Sequence, residues 1–159
     1  MRAAWRMLPL QGASAIARKL ARLRALECED RWALLQAWVL LAGLQVGLTI
    51  LPFRRLMRLL RADDSRVPAT RLHPERLAFL VEVAARYQWP APSCLVKSLA
   101  VYALLVRRGL DAGLVIGASR KDGRFDAHAW PEHMGRPLAE GSARPGYEPL
   151  IRWPRGKSR

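Results

Sequence analysis

The hydrophobic periodicity of this chain changes once, at Gly109, and that change limits what the chain can become. Up to Gly109 apolar side chains recur every three to four residues, the spacing of one helix face. Beyond it they alternate, the spacing of a strand. Helices followed by strands give an α+β arrangement, a helix packed on a short antiparallel meander. The 159 residues leave room for one domain with a real core, or for a small domain with a helical appendage.

Three helical segments lie in the first half. Residues 13 to 26 carry Ile16, Leu20, Leu23 and Leu26 on one stripe, with Arg18, Lys19, Arg22 and Arg24 elsewhere around the turn. This basic amphipathic helix is expected to pack its stripe on the rest of the domain. Residues 32 to 53 contain no charged side chain, which meets the length criterion for a membrane span. Gln36, Gln45, Thr49, Gly43, Gly47 and Pro52 dilute that run, so a helix buried in protein or against a partner is favoured. Membrane association is allowed by the length but not favoured. Arg54, Arg55 and Arg58 then alternate with Leu56, Met57, Leu59 and Leu60 in a short helix. Asp63, Asp64, Ser65 and Pro68 end it and mark a boundary. The chain thus divides into a helical N-terminal region, 1–66, a core, 67–142, and a basic tail, 143–159. The prolines at 145, 149 and 154 predict that the tail is irregular.

Within the core, His73 and Pro74 open a helix that runs to about Tyr87, with Leu77, Leu80, Val81 and Ala84 on one face. Pro90 and Pro92 hold the next residues extended. Ser93 is a good N-cap, and a helix from Cys94 to Arg108 follows, with Leu95, Leu99, Tyr102 and Val106 on its inner stripe; Gly109 ends it. Strands are predicted over 112–118, 125–132 and 136–139, with turns at Asp122-Gly123 and Met134-Gly135.

Twenty-seven Lys and Arg against thirteen Asp and Glu leave a net charge of +14. Such an excess favours acidic partners. Arg dominates over Lys, however, a bias that a GC-rich genome also produces, and no zinc-finger, RNP or basic-zipper pattern accompanies it, so no nucleic-acid role is expected. Two cysteines in unrelated contexts make no disulfide framework and fit a reducing cytosol. The apolar run from Met7 to Leu10 is too short for a signal-peptide core.

Cys94 stands where chemistry is possible. A helix N-terminus carries partial positive charge and free N–H groups that favour a thiolate, and the N–H groups of Cys94, Leu95 and Val96 could hold a developing oxyanion. On the second strand His128 shares a face with Asp126 and Trp130. A thiol and an imidazole acting together need a third group to orient the ring. Glu140, just past the third strand, is best placed by chain order. Asp126 is the rival, although its carboxylate is expected to reach solvent or Arg124 more readily than the ring. Alone, each feature has a plainer reading: a buried structural cysteine, or a histidine in a structural hydrogen bond.

The strings S-C-L-V-K-S-L-A-V-Y-A-L-L-V-R-R-G-L at 93 to 110, L-V-I-G at 114 to 117 and F-D-A-H-A-W-P-E-H-M-G-R-P-L-A-E at 125 to 140 resemble the transglutaminase-like, papain-like core of lasso-peptide B proteins. A looser likeness extends upstream, from R-W-A-L-L at 31 to 35 through L-P-F-R-R-L at 51 to 56. The resemblance implies a cytoplasmic cysteine peptidase that removes the leader from a lasso precursor peptide and hands the core peptide to an ATP-dependent cyclase. It puts Cys94 in the place of the nucleophile, His128 in that of the base and Glu140 in the acidic third place, where the family usually has Asp. Residues 1 to 66 show no strand alternation of the kind a leader-binding domain carries, which implies the split form, served by a separate leader-recognition protein. His133 and Cys28 have no counterpart in the motif. No phosphate loop, metal-ligand pair or dinucleotide fingerprint is present, so no cofactor is expected. Three rivals stand beside this reading: acyl transfer to an amine on the same fold, a small basic membrane protein built on residues 32 to 53, and an inactive binding module.

Overall fold

The computed structural model describes residues 27–62, 72–121, 124–138 and 146–153. The basic segment 13–26, the boundary at 63–68, the turn at 122–123 and Glu140 lie outside the described residues. Helices α1 (Cys28–Ile50), α2 (Phe53–Ala62), α3 (Pro74–Ala85) and α4 (Cys94–Arg107) precede strands β1 (Gly113–Lys121), β2 (Arg124–His133), β3 (Arg136–Pro137) and β4 (Glu148–Trp153). The strands form one antiparallel sheet in the order β3-β2-β1-β4. The architecture is α+β, as the single change of period predicts.

Several helix ends have a local reason. Glu29 and Asp30 sit in the first turn of α1, where the helix dipole favours acids. Leu51, extended before Pro52, ends it. Pro74 occupies the first turn of α3, where its missing N–H costs nothing. Ser93 caps α4 by accepting the Val96 N–H at 3.4 Å, and Gly109, at φ 68°, supplies the left-handed residue after its end. The turn into β3 puts both Met134 and Gly135 at positive φ, 50° and 72°, as a tight two-residue hairpin requires.

Helix α4 is the centre of the molecule. It packs on α1, α2, α3, β1 and β2, and its side chains from Leu99 to Leu105 are all buried. The expected single inner stripe is therefore too narrow. Leu95 and Val106 are only half-buried, whereas Val96 and Ser98 are inside. One core cluster joins Ala33, Ala37 and Leu41 of α1 to Leu77 and Leu80 of α3, Leu104 of α4 and Leu114 of β1. It draws on both sides of position 66.

The uncharged run behaves differently from a buried helix. Helix α1 buries one stripe, Ala33, Ala37, Leu41 and Leu44, and leaves its opposite face in solvent. Polar contacts hold the inner side. Arg76 pairs with the buried Asp30 at 2.5 Å, and that hydrogen bond, against the cost of its own desolvation, raises the Arg76 pKa. Arg108, its pKa lowered by burial and by Arg107, donates to Gln36 Oε1 at 2.9 Å and to Leu104 O at 3.1 Å.

The tail also departs from expectation. Glu148–Trp153 forms an edge strand beside β1, although prolines punctuate this region. Pro149 is tolerated because it lies on the sheet edge opposite Gly117, next to a register shift between Ile116 and Gly117.

Gly117 allows this approach. A Cβ there would lie 2.7 Å from Trp130 Cη2 and 2.9 Å from the Glu148 carbonyl oxygen, and the second is backbone that cannot rotate away. Gly117→Ala is expected to destabilise the fold by about 1–3 kcal/mol through overpacking. The check is thermal unfolding, with a fall in Tm of roughly 2–4 °C per kcal/mol for a chain of this size.

Candidate active site

Cys94 is the first residue of α4, half-buried and a free thiol. Trp89 to Pro92 keep the approaching chain out of helix, so α4 begins abruptly at its cap and its first N–H groups point out of the helix end. The Val96 N–H is taken by Ser93 Oγ. This corrects the expectation of three oxyanion donors: Cys94 and Leu95 remain as the candidates. Lys97, in the same turn, pairs with Glu82 of α3 at 2.9 Å.

Four residues along, and so on the same face of the helix, Ser98 is buried and donates its hydroxyl to Ala129 O at 2.9 Å. Ala129 is the neighbour of His128. The hydrogen bond therefore sets the N-terminal half of α4 beside the part of β2 that carries the candidate base.

His128 is half-buried opposite Gly117. Its ring lies 6.3 Å from that of Trp130 at an interplanar angle of 27°, and 5.7 Å from that of Tyr147 at 61°. Trp130 is buried and donates Nε1–H to Glu132 Oε1 at 3.4 Å, while Glu132 takes Arg152 of β4 at 2.8 Å. Alternation along β2 thus puts Asp126, His128, Trp130 and Glu132 in one row.

Asp126 does not extend to Arg124 or simply to water. It accepts the Tyr147 hydroxyl, and Tyr147 in turn sets its ring edge on His128. Sequence reasoning missed Tyr147, because it precedes a strand in a segment expected to be irregular. It also missed Glu132, although the alternation from Asp126 pointed there. His133, set aside as a bystander, has Nδ1 2.6 Å from Asp111 O and fastens the β2–β3 turn. Cys28 is exposed at the start of α1. Among the described residues no group of three or more His, Cys, Asp or Glu side chains gathers to hold a metal ion.

A half-buried thiol at the capped start of a helix that packs on the strand carrying a histidine flanked by two aromatic rings suits acyl chemistry through a thioester. The family model of the transglutaminase-like superfamily matches residues 37–152, well over half of the chain. The chain belongs to the transglutaminase-like superfamily. The match begins within α1 and ends in β4, so it includes Cys94, His128 and Tyr147 together with the strand that the tail contributes. No curated protein and no solved structure matches the chain. Membership agrees with cysteine-protease or acyltransferase chemistry.

Two contacts of Tyr147 are separable in this transglutaminase-like domain, the hydrogen bond to Asp126 and the ring contact with His128. Tyr147→Phe deletes the hydrogen bond to exposed Asp126 and keeps the ring on His128; it is expected to cost about 0.5–1.5 kcal/mol. Tyr147→Ala loses both contacts and is expected to cost more. Two-dimensional NMR separates them, since only Tyr147→Ala removes the ring current that acts on the His128 imidazole protons.

Proposed function

We propose that this transglutaminase-like chain is a cysteine peptidase that removes the leader from a lasso-peptide precursor. The observation that carries the reading is the Ser98–Ala129 hydrogen bond, which docks the helix start bearing Cys94 against the strand bearing His128. In the proposed reaction Cys94 sulfur attacks the carbonyl carbon of the scissile peptide, and His128 holds the thiol proton. The N–H groups of Cys94 and Leu95 take the oxyanion. His128 then passes the proton to the leaving amine, and a thioester to Cys94 remains. A water that gives its proton to His128 attacks the thioester, releasing the carboxylic acid and restoring the thiol. Glu140 is the proposed orienting carboxylate. Asp126 is the weaker candidate, because Tyr147 already occupies it.

The proposed setting is the cytoplasm, with a separate leader-recognition protein and an ATP-dependent cyclase as partners. Residues 27–62 support a split arrangement, since they form helices and offer no strand edge to capture an extended leader.

Cys94→Ala and His128→Ala are each expected to abolish cleavage of the precursor, by roughly a thousandfold or more, with the circular dichroism spectrum unchanged. Turnover at the wild-type rate by folded Cys94→Ala protein would end the assignment. Glu140→Gln is expected to cut the rate strongly yet measurably, Glu140→Asp to be tolerated, and Asp126→Asn to stay near wild type. Mass spectrometry of precursor digests gives all of these rates.

The purified chain is further expected to cleave precursor slowly and to speed up when the leader-recognition protein is added, because binding energy from the leader then positions the scissile bond. Efficient cleavage by the chain alone at low substrate concentration would contradict the split arrangement.

A further inference from the structure

The outer face of α1 is apolar, exposed and unused by the proposed reaction. Trp32, Leu35, Val39, Val46 and Ile50 recur at helical spacing opposite the buried stripe, with exposures of 56%, 52%, 56%, 58% and 71%. Monomeric soluble proteins rarely expose so continuous an apolar row without a use for it. The helix is also long and apolar enough to cross a membrane by length and composition, with a mean hydropathy of 1.8.

Three observations say what covers this face. First, between Asp30 and Asp63 the sequence has no acidic residue, while Arg31, Arg54, Arg55 and Arg58 are all exposed. Along the row itself the rim is cationic, and exposed acids, Glu27 and Glu29, stand at its N-terminal end. Secondly, the row offers a partner almost no hydrogen bonding: Thr49, beside it, already donates its hydroxyl to Val46 O at 2.7 Å. Protein interfaces carry about one hydrogen bond per 100–200 Å², so a dry, charge-free row suits acyl chains better than a folded partner. Thirdly, a groove of about 440 Å³ runs between α1 and α2, lined by Trp32, Val39, Leu56 and Leu60, with Arg107 among its walls. This slot extends the apolar surface of the row toward α2.

We propose that the outer face of α1, with the arginines of α2, seats the protein on an anionic phospholipid surface. The seat is peripheral. A spanning helix would have to give up Ala33, Ala37, Leu41 and Leu44 to lipid, break Asp30 from Arg76 and Gln36 from Arg108, and lose the Gln45 Nε2–H bond to Pro90 O at 2.9 Å. Helix α1 therefore lies along the interface with its inner side still packed on α3 and α4. A second copy of the chain suits the face less well, because it would bring like-charged arginine rims together.

The test is flotation of the purified full-length chain with vesicles of phosphatidylcholine, or of phosphatidylcholine with about a third phosphatidylglycerol. The proposal expects binding to the anionic vesicles, little to the neutral ones, and release in high salt. Val39→Glu and Val46→Glu should each lower partition about tenfold or more, as should Arg54→Glu combined with Arg58→Glu. Unfolding temperatures should stay unchanged, because all four side chains are in solvent. Arg120→Glu combined with Arg124→Glu, the same charge change placed on β1 and β2, should bind like wild type. Failure to float with anionic vesicles at low salt would overturn the proposal. So would equal loss from this β1–β2 double variant, which would mean that net charge alone drives binding, or undiminished binding by Val39→Glu and Val46→Glu. A dimer in sedimentation that Val39→Glu dissociates would assign the face to a second copy instead. Retention in cell membranes after both salt and alkaline carbonate would mean a true span and would overturn the peripheral seat.

Discussion

Everything in this molecule is arranged around the burial of α4. Its residues from Leu99 to Leu105 are inside on all sides, so three helices and two strands must close around one helix. Small residues make that possible. Ala100 and Ala103 let neighbours approach, and Ser98 reaches the backbone of β2 where a larger side chain would hold the strand away. A helix held on every side cannot shift along its axis or turn. The position of Cys94 at its capped start is thus a consequence of core packing, not of any contact the thiol makes for itself.

Strand β2, on which this helix packs, is held from the side of β1 and β4. Trp130 lies over Gly117, Tyr147 ties Asp126, and Arg152 neutralises the buried carboxylate of Glu132. Two of these three partners, Tyr147 and Arg152, come from the last described segment of the chain. The tail is accordingly part of the scaffold around His128. A buried carboxylate such as Glu132 needs its cation, and the pairing gives β4 a reason to register where it does.

Helix α1 shows how a single segment can serve two surroundings. On its inner side alanines allow close packing, and the buried Asp30 and the half-buried Gln36 find cationic partners from α3 and from the end of α4. On its outer side large apolar residues stand in solvent between arginines. The average apolarity of residues 32 to 53 conceals this difference. Length and hydropathy describe the whole circumference of a helix, whereas burial is decided face by face.

The elements themselves were legible in the residues. Pro74, Ser93 and Gly109 mark helix ends by fixed backbone preferences, Met134-Gly135 marks a hairpin, and the change of period marks where helices give way to strands. Cys94 and His128 were legible as candidates too, since a capped helix start and an alternating strand declare themselves locally. Less was legible wherever a side chain depends on something distant in sequence. The central place of α4, the exposed row on α1, the occupation of the Val96 N–H by its cap, the strand at Glu148–Trp153 and the contacts of Tyr147 all escaped local pattern. Proline argued against the last strand, and only the sheet edge and the register shift beside Gly117 made room for it. By itself, then, the sequence determined which segments are helix or strand and which residues stand at their ends, because capping, turn geometry and periodicity act within a few residues. Which faces are covered, and which strand meets the helix bearing Cys94, only the tertiary structure decided, because burial and hydrogen bonding between remote segments depend on what the rest of the chain brings to them.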